Sequence, residues 1–307
     1  MAQSFLFLVN PASAGGKTRN RWRRLQSLLQ RNGIHPEVIW SERPGHLIDM
    51  TAEALEQGQT RIVAVGGDGT FHEVVNGWFK AKTRSDSAAL GLIGSGTGGD
   101  YLRTLGLNGQ WNRQIEGLIR GRIQSVDVLS LEFLNGAGQP SHCYGLNVAA
   151  FGLAGSVDRC AMQSGPLIRL LGGKAVYFWA SLKCLFSYQN PVVRLNADDF
   201  EYEGPLFNAA LCKGRFFGGG IPIAPPADPQ SGKMRLTLFP DWHRGYVLRH
   251  IPALYRGQFE KLGGSDVETQ HLSAYSDESV WIDVDGESKG TLPLKVTCLP
   301  GQLRLCY

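Results

Sequence analysis

The sequence predicts an α/β domain built on a parallel sheet, followed by an antiparallel β-sandwich domain. Two textures and the point where they change carry this prediction. Up to about residue 125, apolar strands alternate with amphipathic helices; beyond it, short alternating strands succeed one another between turn signals. A third observation adds polarity. Glycine-rich turns follow several strands of the first domain at their carboxyl ends, where open parallel sheets bind ligands.

"SFLFLVN" opens the chain as a strand, and "RNRWRRLQSLLQRNG" is a helix with Trp22, Leu25, Leu28 and Leu29 at helical spacing and Gly33 as its stop. "HPEVIW" and "RIVAVGG" are the second and third strands, with the helix "GHLIDMTAEALEQG" between them. "FHEVVNGWFK" is the next helix, "ALGLIGSG" the fourth strand and "NRQIEGLIRG" a further helix. Strands that are apolar on both faces and joined by helices imply a parallel sheet covered on both sides. From Val126 the strands are "SVDVLSLEF", "CYGLNVAAF", "PVVRLNA", "LFNAALCKG", "KMRLTLFP", "VWIDVDGE", "LKVTCLP" and "QLRLCY". One stretch, 166–187, is helical and apolar all round; it reads as a core helix, with an interfacial role as the alternative. The domains are expected at 1–127 and 128–307, leaving open a return of the last strand to the first domain.

The 307 residues suffice for two cores, and 43% apolar with 19% charged residues is a globular composition. A net charge of +4 suits a phosphate ligand or an anionic membrane surface, and no pattern signals nucleic acid. Six cysteines without a CxxC pair read as a reduced, cytoplasmic protein and imply no metal framework. The apolar start lacks a basic n-region and so reads as a strand rather than a signal peptide. No apolar run reaches the roughly 20 residues of a transmembrane segment; the nearest, 167–186, is interrupted by Arg169, Lys174 and Lys183. Membrane contact is therefore expected to be peripheral, on the inner face. Arg19, Arg21, Arg23, Arg24 and Arg31 on the first helix read as a solvated face, with attraction to anionic headgroups as the alternative.

Three turns carry the chemistry: "NPASAGGK" at 10–17, "GGDGT" at 66–70 and "GSGTGGDYLR" at 94–103. Any one of them could be a tight strand-to-helix turn, but three on one sheet point to a site that cradles phosphates. "PASAGGKT" departs from the P-loop because Pro11 replaces its first glycine. "GSGTGG" satisfies GxGxxG but lies on the fourth strand, with no acidic residue placed for a ribose. A phosphotransferase without a Walker motif remains. In it Asp68, between Gly67 and Gly69, would organise Mg²⁺ or act as base; a turn aspartate held by backbone N–H groups is the plain alternative. Asp283, Asp285 and Glu287 in "VWIDVDGESKG" read as alternating onto one strand face.

"NPxxxGGK", "GGDGTFHEVVNG", "GTGGDYLRTLG", "GRFFGGGIPIAPPADPQSGKMRL" and "VDGE" together resemble, in order and over the whole chain, the signatures of the diacylglycerol kinase catalytic-domain family. The resemblance implies an ATP- and Mg²⁺-dependent lipid kinase acting on a lipid hydroxyl, most readily diacylglycerol-like, at a membrane surface. A silent lipid- or nucleotide-binding regulator and an NAD kinase-like enzyme, which shares GGDGT, are the alternatives. It further implies that Asn10 and Pro11 form the first phosphate turn, that Ser41 lies near the nucleotide, and that Gly66, Gly67, Asp68, Gly69, Thr70 and Glu73 form the central turn and the start of its helix. Thr97 and Asp100 match the third turn, and Glu287 matches the proton acceptor. Two departures stand out. Gly99 occupies the family's asparagine position, and "SGKMR" at 231–235 puts Ser231 and Arg235 where bacterial members carry acids of a metal site. Which residues hold metal, and the oligomeric state, are left open.

Overall fold

The computed structural model describes residues 5–95, 99–162 and 173–307. The chain divides into two compact units, one of residues 1–126 with 301–307, the other of residues 127–300.

In the first unit, strands β1 (Leu6–Val9), β2 (Glu37–Trp40), β3 (Arg61–Gly66) and β4 (Ala89–Gly94) form a parallel sheet in the order β2-β1-β3-β4. The last strand, β15 (Glu287–Cys306), adds its end to the edge, where Leu305 and Cys306 run parallel to Leu90 and Gly91. Trp78 donates its indole N–H to the Gln302 carbonyl at 3.2 Å, holding this returning segment. β3 and β4 are buried on both faces because helices cover both. Helix α1 (Thr18–Arg31) buries Trp22, Leu25 and Leu29, the same stripe that its sequence spacing predicts. Trp22 meets Phe7 and Trp40 edge-on at 6.1 and 5.8 Å. Helices α2 (His46–Glu56), α3 (Asp68–Lys80), α4 (Asp100–Thr104) and α5 (Trp111–Arg120) complete the layers. Arg19 and Arg24 lie over the rings of Trp40 and Trp111 at 5.9 and 6.0 Å, so part of the arginine face serves packing as well as solvation.

The second unit is an antiparallel sandwich. One sheet runs β12 (Ser265–Thr269), β11 (Met234–Phe239), β10 (Asn208–Cys212), β7 (Val148–Gly152), β14 (Trp281–Val284), β15. In the other, β9 (Phe200–Pro205), β8 (Val192–Ala197) and β13 (His271–Tyr275) reach Leu294–Thr297 of the same long β15, which also pairs β5 (Ile123–Asn135) with its hairpin partner β6 (Pro140–Gly145). Period-two alternation sorts the central strands between two cores. Ala149, Phe151, Ala209 and Leu211 face the inter-sheet core with Leu195, Ile282 and Leu294. Val148, Ala150, Ala210 and Cys212 face a second core closed by Ile223, Trp242, Val247 and Phe259. Helices α6 (Leu153–Met162), α7 (Gly173–Ser187) and α8 (Arg244–Leu254) belong to this unit.

Several expectations need correction. "CYGLNVAAF" is two strands, because the amides of Leu146, Asn147 and Val148 donate to the Asp285 carboxylate instead of a ladder. "LKVTCLP" and "QLRLCY" are one strand. The helix expected over 166–187 is described as α7 from Gly173; its first part lies outside the described residues. Among the described residues, no helix is long and apolar enough to cross a membrane.

Candidate active site

The carboxyl ends of the parallel strands form a row. Val9 pairs with Trp40 and Val65, and Gly66 with Gly94. Asn10, Ser41, Gly67 and Ser95 therefore follow on one edge of the sheet. Main-chain bonds continue the row, from Asn10 N to Val65 O at 3.1 Å, Ser41 N to Val9 O at 2.9 Å and Ser95 N to Gly66 O at 2.8 Å.

Gly66 is required sterically, since a Cβ there would fall inside the side chain of Thr70. That side chain accepts the Asn10 Nδ2–H at 3.1 Å, while Asn10 Oδ1 accepts Ala12 N–H at 3.0 Å, so both ends of the Asn10 amide are fixed. Gly67 is extended, carries no side-chain cap for α3, and a Cβ on it would meet nothing within 4 Å. A helix N-terminus behind a bare glycine favours negative charge. Pro11 leads into a turn in which Ala14, Gly15 and Gly16 all take positive φ before α1.

Asp68, the first residue of α3, is half-buried. Its Oδ2 accepts Asp100 N–H at 3.0 Å and its Oδ1 accepts Tyr101 N–H at 3.3 Å. The carboxylate thus joins the central turn to the third one at the start of α4. Glu73 is buried, and its two oxygens accept Gly45 N–H at 2.9 Å and Leu47 N–H at 3.1 Å. Its carboxylate ties α3 to the start of α2, which places it in the support of the turn. Asp100 is buried with the Arg103 Nε 3.7 Å from its Oδ1. Thr97 lies outside the described residues. Gly99 has an extended φ of −167°, and a Cβ there would make ordinary contacts of 3.5–3.6 Å with Asn108 and Leu102, so the backbone does not force glycine at this position.

Sequence reasoning missed a hydroxyl cluster. Thr18 Oγ1 donates to Ser95 Oγ at 2.7 Å, and Ser13 Oγ lies 2.6 Å from Thr18 Oγ1 and 3.0 Å from Ser95 Oγ. The Arg21 guanidinium donates to the Ser95 carbonyl. Ser13 and Thr18 stand inside or next to the first glycine turn, but their meeting with Ser95 is a fact of tertiary structure.

In the second unit the three acidic residues do not share a strand face. Asp285 (φ 54°) and Gly286 (φ 86°) form a two-residue hairpin turn, and Val284 pairs with Glu287 while Asp283 pairs with Ser288. Glu287 is thus on the return strand, on the face opposite Asp283. Asp285 accepts N–H bonds from Leu146, Asn147 and Val148 at 2.9, 2.8 and 3.2 Å, which fixes the hairpin. Lys289 Nζ lies 2.6 Å from Glu287 Oε2, on a partly exposed rim. Burial pushes the Cys143 thiol up to about 12, opposed by Lys289 and reinforced by Asp285, Glu287 and Asp283.

The residues at 231–235 do not fit a metal. Arg235 bridges Asp266, at 2.9 and 2.8 Å, and Glu268, at 3.2 Å. The ammonium of Lys213 donates to Ser231 Oγ at 3.2 Å and the Lys233 carbonyl at 2.6 Å of this segment, and to Asp127 Oδ2 of β5 at 2.7 Å. Among the described residues no group of three or more His, Cys, Asp or Glu side chains is placed to hold a metal ion. A nucleotide-bound Mg²⁺ needs only one or two carboxylates besides phosphates and water, and Asp68 at the glycine turn fits that demand.

Comparison with known proteins identifies the family and the fold. The diacylglycerol kinase catalytic domain model matches residues 4–131, and the model of the YegS C-terminal NAD kinase beta sandwich-like domain matches residues 148–307. A "Probable lipid kinase YegS-like" of Chromohalobacter salexigens is 28% identical over 283 residues, covering 89% of this chain and 84% of its own. A "Diacylglycerol kinase" of Staphylococcus saprophyticus is 25% identical, covering 86% of this chain and 82% of its own. The crystal structure of a diacylglycerol kinase from Bacillus anthracis shares the fold, with a TM-score of 0.68 at 18% identity over 99% of this chain and 97% of that one. The chain belongs to the diacylglycerol kinase catalytic-domain family, with a C-terminal domain of the YegS type.

Proposed function

We propose that the chain is an ATP-dependent lipid kinase that phosphorylates the hydroxyl of a diacylglycerol-like lipid, acting peripherally at the inner face of a membrane. The row of Asn10, Ser41, Gly67 and Ser95 along the carboxyl edge, backed by the glycine-capped start of α3, carries this reading. Backbone N–H groups and a helix N-terminus are suited to the phosphates of a nucleotide. Names of relatives as lipid kinases support the acceptor class.

In the reaction, the acceptor hydroxyl oxygen attacks the γ-phosphorus, the bond to the β–γ bridging oxygen breaks, and ADP leaves. Glu287 takes the hydroxyl proton. Asp68 holds the third turn through Asp100 N–H and Tyr101 N–H and presents its charge at the phosphate turn. Mg²⁺, when bound with the nucleotide, supplies charge neutralisation on the transferred group.

Incubation with labelled ATP, Mg²⁺ and a panel of lipid alcohols, with NAD as a control acceptor, tests the proposal. Label is expected in a diacylglycerol-like lipid. Transfer to NAD alone would assign an NAD kinase-like enzyme, and transfer to no acceptor despite nucleotide binding would assign a silent regulator. Asp68→Asn is expected to lower turnover by on the order of 10²–10³. Its amide also offers N–H where Asp100 or Tyr101 already donates, so the third turn should loosen in hydrogen exchange. Near-normal turnover in the folded variant would make the carboxylate purely structural.

A further inference from the structure

Helix α8 buries only Val247 fully and leaves a stripe at helical spacing in solvent. Arg244, Leu248, Ile251 and Tyr255 recur at intervals of three and four residues, flanked by exposed Arg249 and Arg256. Leu248, Ile251 and Tyr255 are 39, 40 and 61% exposed, and on α7 Trp179 and Phe186 are each 51% exposed. The two helices adjoin, because Arg244 Nη1 donates to the Phe186 carbonyl at 3.0 Å at the last turn of α7. Neither 173–190 nor 242–259 contains an acidic residue, while Lys174, Lys183, Arg244, Arg249 and Arg256 are basic. Among the described residues, no carboxylate pairs with Arg249 or Arg256.

Exposed apolar side chains are ordinary when scattered. Here four large ones lie on two adjoining helices and a fifth, Tyr255, at the C-cap of α8, and the charges of both helices are all positive. A basic face with apolar residues at its centre is the chemistry that lies in a bilayer interface, where the side chains enter the headgroup region and the cations meet anionic lipid. A soluble acidic partner would satisfy the arginines but would not account for two separate helices presenting aromatic and aliphatic tips.

We propose that α8, with the exposed residues of α7, is a docking surface for an anionic lipid bilayer, seating Leu248, Ile251 and Tyr255 among the headgroups and Arg249 and Arg256 against their charge. The choice of a bilayer as occupant rests on the lipid-kinase reading and deepens it by naming the surface that reaches the lipid. The test is sedimentation of the whole chain with phosphatidylcholine vesicles, with and without phosphatidylglycerol. Binding is expected to need the anionic lipid and to weaken with salt. Replacing Arg249 and Arg256 together by Glu should lower partitioning by about 20-fold or more. Replacing Leu248, Ile251 and Tyr255 by Ser should lower it by about tenfold. Transfer to a short-chain acceptor dispersed in detergent should stay at the wild-type level in both variants, since neither touches the glycine turns. Equal wild-type binding to both vesicle types, or wild-type partitioning of either variant, overturns the docking surface. Absence of transfer to any lipid would instead remove the kinase reading, and the vesicle result decides the surface regardless.

Discussion

Replacing Lys213 by methionine is expected to destabilise the second unit by about 3–5 kcal/mol, the cost of leaving one partner of a buried ion pair uncompensated. The Lys213 side chain is 0% exposed and that of Asp127 is 3% exposed, with Nζ and Oδ2 2.7 Å apart. An ammonium has three protons, and three acceptors meet them: Asp127, Ser231 Oγ and the Lys233 carbonyl. The carboxylate in turn accepts Gly232 N–H at 2.7 Å. One cation therefore pins the end of β10, Asp127 of β5 and the loop that precedes β11. Methionine fills much the same space but leaves Asp127 charged and dry. Thermal unfolding should move down by roughly 6–20 °C. Combining Asp127→Asn with Lys213→Met should recover much of that loss, since a pair removed together leaves no buried charge. Because an ammonium and not a metal ion takes these oxygens, EDTA should leave the unfolding midpoint of the wild-type protein unchanged. A Lys213→Met protein that melts with the wild type would show that the pair contributes nothing, and a midpoint that falls with EDTA would show that a metal is held after all.

How far this was legible in the sequence differs by element. The first unit was readable because β1, β3 and β4 are almost continuously apolar and α1 carries one apolar stripe, so period alone separates them. The second unit was harder. β9, "FEYEGP", alternates from half-buried to exposed, and α8 buries little, so neither gives a strong apolar period. The alternation that placed Asp283, Asp285 and Glu287 on one face failed for a local reason: Asp285–Gly286 is itself the hairpin turn, and a two-residue reversal resets the count. The turn was visible as an Asp-Gly pair, but its Asp also had to be recognised as the acceptor for three amides more than 130 residues upstream. Lys213 was invisible for the same reason. A lysine after "LFNAALC" reads as the solvated end of a strand, and only tertiary structure supplies Asp127, Ser231 and Lys233 as its shell. Asp68 fared better: its glycine flanks marked it as a turn carboxylate, and what sequence could not supply was that its backbone partners, Asp100 and Tyr101, lie in the next glycine turn.

Glu287→Gln should lower kcat by on the order of 10²–10⁴, the range for removal of a general base, with little change in the KM for ATP. The position of this side chain is built by the hairpin. The Asp285 carboxylate is held by Leu146, Asn147 and Val148, Gly286 completes the reversal, and Glu287 is the first residue on the way back, paired with Val284. Glutamine keeps this geometry and volume while losing the ability to accept a proton. The Lys289 ammonium at 2.6 Å offers a competing explanation, in which Glu287 matters only as half of an ion pair. Lys289→Met separates the two. If Glu287 is the base, Lys289→Met keeps the carboxylate and most of the turnover, whereas Glu287→Gln loses it. If the ion pair is what matters, both variants fall together. A partly exposed pair of this kind stabilises by no more than about 1 kcal/mol, so neither change should prevent folding. Equal activity of Glu287→Gln and wild type from pH 6 to pH 9 would remove Glu287 from the chemistry and return the base role to Asp68, whose carboxylate would then have to accept a proton while still holding the third turn.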